Sequence, residues 1–248
     1  MEISLDSLVF WRWGPVLLNA TILYTWLVMA LLVLFSWLVT RKLSTGAEIS
    51  TWQNLLEVLV GGMREQIRQI SQEEPGPYLP FIGTLFIFIS VSNLLAVVPG
   101  YHPPTDSLST TAALALCVLA AVPIYGIAQQ GLGGYLSHYL KPTVLMLPFH
   151  ILSEMTRTLA LAVRLFGNVM SGAMLGAILL AVVPLFFPLV MQLLELLIGQ
   201  VQAFIFAVLA TVYIASATQA HAERKEAVLK SAVTENRVGD KSKEDAET

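Results

Sequence analysis

A guanidinium lies in the middle of one of the most apolar stretches of this sequence: Arg164, within ALAVRLFGNVMSG. Arginine stays protonated at any physiological pH, so it cannot escape an apolar environment by giving up its charge. A charge at the centre of a bilayer costs about 2.5–3.5 kcal/mol on insertion scales, and side chains that bear it face a partner or a wet cavity. Arg164 is too far from either end of its segment to snorkel to a headgroup. Three further ionisable residues share the setting, Glu154 and Arg157 on the same segment and Glu195 on the next. The chemistry these residue types suit is the movement of ions. A structural ion pair between Arg164 and Glu195 is the alternative, because an unpaired buried charge is strongly unfavourable.

Asn168 follows Arg164 by one helical turn, and Gly167, Gly172 and Gly176 thin the same segment. Small residues let another helix approach closely in a membrane. The approaching helix is either a partner's or the next helix of this chain, and both readings stay open. On the following segment Glu195 and Gln202 are seven residues apart, hence on one helical face, with Gly199 one turn from Glu195. They form a polar line about 10 Å long at about 1.5 Å rise per residue, which suggests an aqueous half-channel.

The elements that must hold these residues follow from composition. The chain has 248 residues, 56% hydrophobic and only 12% charged, against roughly 25% charged in a soluble domain; its mean hydropathy is +0.70. A water-soluble protein is excluded, and a net charge of -3 offers no basic surface for nucleic acid. The charge is concentrated in 222–248, which holds six of the fourteen Lys/Arg and seven of the seventeen Asp/Glu. This tail reads as solvated and disordered after a short helical start. Cys117 lies in an apolar run and reads as a packing residue.

Pro15 to Thr40 is long enough to span a bilayer, with Trp11, Trp13, Tyr24 and Trp37 flanking it or lying within it as interfacial anchors do. MEISLD lacks a basic region before it, so the segment is expected to be a retained helix rather than a cleaved signal. Arg41-Lys42 at its end puts that end in the cytoplasm and the N-terminus outside. Residues 50–70 form an amphipathic helix on the inner surface, with Trp52, Leu55, Leu56, Leu59, Val60, Met63 and Ile67 opposite Gln53, Glu57, Arg64, Glu65 and Arg68. Residues 78–98 and 108–128 are further spans, joined by a proline-rich outer loop and followed by an inner loop, QQGLGGYLSHYLKP. The last two apolar segments, 143–182 and 189–220, are longer than a perpendicular span needs and must tilt or run partly along the membrane. The expected fold is therefore an all-α membrane protein in a single domain, 1–221, with a charged cytoplasmic tail.

RLFGN (Arg164 to Asn168), followed by QAFIFAVLATVYI (Gln202 to Ile214), strongly resembles the a subunit of F-type rotary ATP synthases. The resemblance extends back through PYLPFIGTLFIFISVSNLLAVVPG (Pro77 to Gly100) and PPTDSLSTTAALAL (Pro103 to Leu116), covering most of 50–220; the first span matches only in kind. What it implies is the stator part of an ion channel in the Fo sector of a bacterial inner membrane. The last two helices would form a steeply tilted hairpin facing a ring of c subunits, with b-type stalk subunits as further partners and no cofactor or metal. Arg164 would be the essential cation facing the ring. Glu195, Gln202 and Asn168 would line the outer half-channel, and Glu154 and His150 the inner one. Some family members carry the relay acid nine residues after the arginine, where this chain has Ala173, and many have histidine where Glu195 stands. The acid is thus moved to the facing helix. Arg157 matches a position often lysine in the family and reads as structural. His102 and Asp106 read as solvated, though an acid there could gather cations. No G-x-x-x-x-G-K-[ST] motif occurs, so ATP chemistry would belong to other subunits. A self-contained transporter would show an inverted repeat or broken helices around a substrate site, and the sequence shows neither.

Overall fold

In hydrocarbon every backbone polar group must be satisfied internally, and long apolar runs meet that demand as helices. The computed structural model describes residues 9–13, 16–41, 51–72, 75–98, 101–140, 147–182 and 187–244. Its elements are a short antiparallel ribbon, β1 (Val9–Trp13) and β2 (Val16–Asn19), then α1 (Ala20–Thr40), α2 (Thr51–Ser71), α3 (Leu79–Leu94), α4 (Leu108–Leu140), α5 (Leu147–Val182) and α6 (Phe187–Glu244). Among the described residues, five stretches are long and apolar enough to cross a membrane: Thr21–Thr40, Leu79–Val97, Leu108–Gln129, Pro148–Leu179 and Leu189–Ala217. The protein is an all-α, multi-pass membrane protein apart from the ribbon.

Several boundaries differ from those read in the sequence. The first helix begins at Ala20, because Val16–Asn19 pairs as a strand; a four-residue apolar run carries no periodicity that separates strand from helix. The expected inner loop after residue 128 is largely helical: α4 continues to Leu140 as two helices meeting at Gly131, whose φ of 71° is open to glycine but strained for other residues. The charged tail is helical to Glu244, further than a short helical start. No proline follows Pro188, and the tail is rich in Ala, Glu and Lys, all good helix formers. Residues 141–146 and 183–186, including the expected start of the fourth span and most of the Pro184–Pro188 break, lie outside the described residues, as do 245–248.

The core lies where α3, α4, α5 and α6 meet, around Phe88, Ile89, Val118, Leu161, Leu165 and Phe206. Ala162, Ala203 and Ala210 are buried in the same cluster, and such small residues allow close helix approach. A second cluster joins the end of α2 to the bundle through Ile67, Tyr78, Ile82 and Ile214. Along α2, Ile67 is buried and Leu56, Leu59 and Met63 are half-buried, but Leu55 and Val60 are exposed, so the bundle covers only part of the apolar face. Large apolar side chains cover the outside: Trp26 on α1 is 67% exposed and Leu193 on α6 62%. Cys117 also points outward rather than packing in the core.

At 36 residues α5 is about 54 Å long, against about 30 Å of hydrocarbon. It therefore carries side chains past both ends of a perpendicular span.

Candidate ion-translocation site

Two cavities open along α5, one on each side of Arg164. The larger, of about 410 Å³, is bordered by Asn168, Gly172 and Gly176 of α5, Glu195 and Gln202 of α6, and Asn93 of α3. The connection between α3 and α4 adds Tyr101, His102 and Asp106 to its lining. The smaller, of about 210 Å³, is bordered by His150, Glu154, Arg157 and Thr158 of α5, Tyr213 and Ser216 of α6, and apolar residues of α4.

The larger cavity is built by hydrogen bonds between elements. Asn168 Nδ2 donates to Gln202 Oε1 at 2.7 Å, tying α5 to α6. Gln202 is only 2% exposed, and its Nε2 meets no partner among the described residues. Asn93 Nδ2 donates to the Gly199 carbonyl at 2.9 Å, while Asn93 Oδ1 accepts from Thr105 Oγ1 at 3.1 Å. One turn away, Gln200 Nε2 donates to the Ser90 carbonyl at 3.0 Å, and Ser90 Oγ donates back to Gln200 Oε1. Glu195 packs closely over two glycines: a β-carbon at Gly172 would lie 3.0 Å from its Cγ, and one at Gly176 would lie 3.2 Å from its Oε1. Those two glycines therefore serve packing within this chain. Gly167 has open space beside it, on the outward side.

At the mouth, burial pushes the Asp106 carboxyl above the usual carboxylate range, and neighbouring His102 works against that rise. Asp106 is therefore not the fully solvated loop acid expected. Tyr101 is pushed up to about 12, chiefly by burial, so its hydroxyl stays neutral. Its ring packs edge-on against Tyr24 of α1, with centroids 5.3 Å apart.

The smaller cavity is held differently. The Arg157 guanidinium lies 5.7 Å above the Tyr213 ring centroid, a cation–π contact between α5 and α6. Arg157, read from the sequence as structural, thus borders the same space as His150 and Glu154.

Arg164 borders neither cavity. It comes six residues after Thr158 and four before Asn168, about 9 Å and about 6 Å along the helix. Leu161, Ala162 and Leu165, the neighbouring core-facing residues of α5, are buried and fill the interior between the cavities. Arg164 itself is exposed on the outside of the bundle. No hydrogen bond or ion pair reaches its guanidinium among the described residues, so the pair with Glu195 does not form. The side chain of Ala173 lies outside the described ones.

Sequence reasoning missed Asn93, Thr105 and the Ser90–Gln200 pair. The signal was present: Ser90, Ser92 and Asn93 cluster within one turn in the otherwise apolar stretch 85–98.

Two polar cavities in an apolar helical bundle, on either side of an outward-facing guanidinium that has no partner among the described residues, suit an ion-conducting membrane protein. Comparison with known proteins makes this specific. The ATP synthase A chain family matches residues 22–215, so the match takes in nearly all of α1 as well. The chain is 60% identical to ATP synthase subunit a 2 of Acaryochloris marina over 88% of this chain and 94% of that protein. It is 60% identical to subunit a of Nitrosospira multiformis over 90% and 89% of the two chains. With subunit a 1 of Chlorobium luteolum it shares 57% over 90% of this chain and 100% of the relative. The chain belongs to the ATP synthase subunit a family, the ion-translocating subunit of the Fo sector.

Proposed function

We propose that the two cavities are offset half-channels that load and unload ions on the carboxylates of a rotating c ring. The observation that carries this reading is Arg164: a permanent cation without a partner among the described residues, outward-facing, between two polar cavities on one helix. The larger cavity opens to the outer side, as the Arg41 end of α1 in the cytoplasm requires. An ion entering there passes Asp106 and reaches Glu195, which relays it along Gln202 and Asn168 to the ring. As a loaded rotor carboxylate later nears Arg164, the fixed positive charge favours its ionised form and the ion leaves through the smaller cavity, past Glu154 and His150. Arg164 repels any cation crossing directly between the cavities. The membrane potential drives the cycle with about 2.3 kcal/mol per charge per 100 mV.

In this arrangement α5 and α6 form a tilted hairpin against the ring in a bacterial inner membrane, with b-type subunits holding the stator. ATP chemistry occurs on other subunits. The ion is a proton, or sodium where the rotor carboxylate selects it. Replacing Arg164→Ala in the whole complex is expected to abolish ATP synthesis in membrane vesicles at matched amounts of complex. Unchanged synthesis would defeat the reading.

A further inference from the structure

We propose that Asn93 is a positioning residue for ion loading: its hydrogen bonds to the Gly199 carbonyl and to Thr105 set how Glu195 and Gln202 face the larger cavity. This rests on the half-channel reading above. Asn93 is 6% exposed and joins three elements, its own helix α3, the backbone of α6 and the outer connection before α4. Both functional groups of its amide are used, one as donor and one as acceptor. The fit at α6 is tight, since a β-carbon on Gly199 would lie 3.0 Å from both Cβ and Nδ2 of Asn93. Gly199 stands four residues after Glu195 and three before Gln202, so whatever fixes its backbone fixes the two residues that flank it on the same face. At 6% exposure the Asn93 amide is buried, and a buried polar group left unpaired is costly. A role limited to holding α3 against α6 is already met next door by the Ser90–Gln200 pair. What Asn93 adds is a direct link from the cavity mouth, through Thr105, to the turn of α6 that bears Glu195.

The test uses intact ATP synthase complexes in membrane vesicles, with the amount of complex measured and ATP synthesis per complex followed as the pH on the larger cavity's side is varied. The titratable groups facing that space are Glu195, Asp106, His102 and Tyr101. Asn93→Ala and Gly199→Ala are expected to lower the rate per complex on the order of tenfold. They should also move the midpoint of the pH profile by about half a unit or more. Asn93→Asp still accepts from Thr105, but its carboxylate cannot donate to the Gly199 carbonyl, so it should behave like Asn93→Ala. Thr105→Val, which leaves the Asn93–Gly199 bond in place, should give a smaller shift in the same direction, and Thr105→Ser should restore the wild-type profile. Should Asn93→Ala fail to assemble, the Thr105 pair decides. An unmoved midpoint, whatever the rate or the amount of complex, overturns the proposal. Glu195→Gln run alongside separates the two readings: if it retains wild-type synthesis, the half-channel account itself fails, and if it stops while the Asn93 and Thr105 profiles stay in place, only the positioning role falls.

Discussion

The two cavities differ in how their walls are made. Around the larger one, side-chain hydrogen bonds join α3, α5, α6 and the connection between α3 and α4, and Glu195 packs against two glycines. Around the smaller one, charged residues at helical spacing on α5 share the space, with a cation–π contact to Tyr213 bridging to α6. A buried polar network rigidifies what it holds only when its members are paired. The larger cavity is thus walled by a mostly paired network that sets Glu195 against two glycines, and the smaller resembles a wet vestibule. In the proposed mechanism an ion would be handed to a moving carboxylate at one end and released to water at the other, and the asymmetry suits that division.

The contrast breaks most readily at the acids. Glu195→Gln is expected to reduce ATP-driven ion pumping on the order of a hundredfold, the scale of losing a positioned proton-transfer group. Glu154→Gln should cost only a few-fold, since water in a vestibule can substitute. Equal losses in vesicle pumping assays would erase the distinction. A smaller effect sharpens it: Gly172→Ala and Gly176→Ala each improve intrinsic helix propensity by about 1 kcal/mol. Each also pushes a methyl group against Glu195, with strain of about 1 kcal/mol, or about fivefold in rate. Pumping should fall while the thermal stability of the complex holds or rises; a loss of stability would mean that the glycines serve the fold instead. The smallest change belongs to the vestibule. Tyr213→Leu removes a contact worth about 0.5–1 kcal/mol and should slow pumping by about two- to fivefold, whereas Tyr213→Phe keeps the aromatic face and should leave the rate near wild type.

How much of this was legible in the sequence follows from what hydrocarbon makes costly. Arg164, Glu195 and Glu154 stood out because a charge in an apolar run demands an explanation, and the seven-residue spacing placed Glu195 and Gln202 on one face. Glycine at 172 and 176 could be read as a close-approach site, but only three-dimensional packing shows that the guest is Glu195. Asn93 and Ser90 were passed over because neutral polar residues barely disturb a span's hydropathy. Their partners on α6 are more than 100 residues away, a distance no local pattern encodes. The turns of α4 beyond Gly131 were read as loop because glycines cluster there, yet only Gly131 adopts a non-helical backbone. Arg157 was read as structural from its match to a position often lysine in the family, and its contact with Tyr213 is one that nothing in its own helix announces.

The central claim, two water-filled paths that open to opposite faces and are kept apart at Arg164, is tested most directly by accessibility. In a Cys117→Ser background, Gln192→Cys places a thiol on the larger cavity and Ser153→Cys one on the smaller. With a membrane-impermeant thiol reagent applied to one side of sealed vesicles at a time, each thiol should react from one side only, and the two from opposite sides. Labelling of both from the same side would contradict the account.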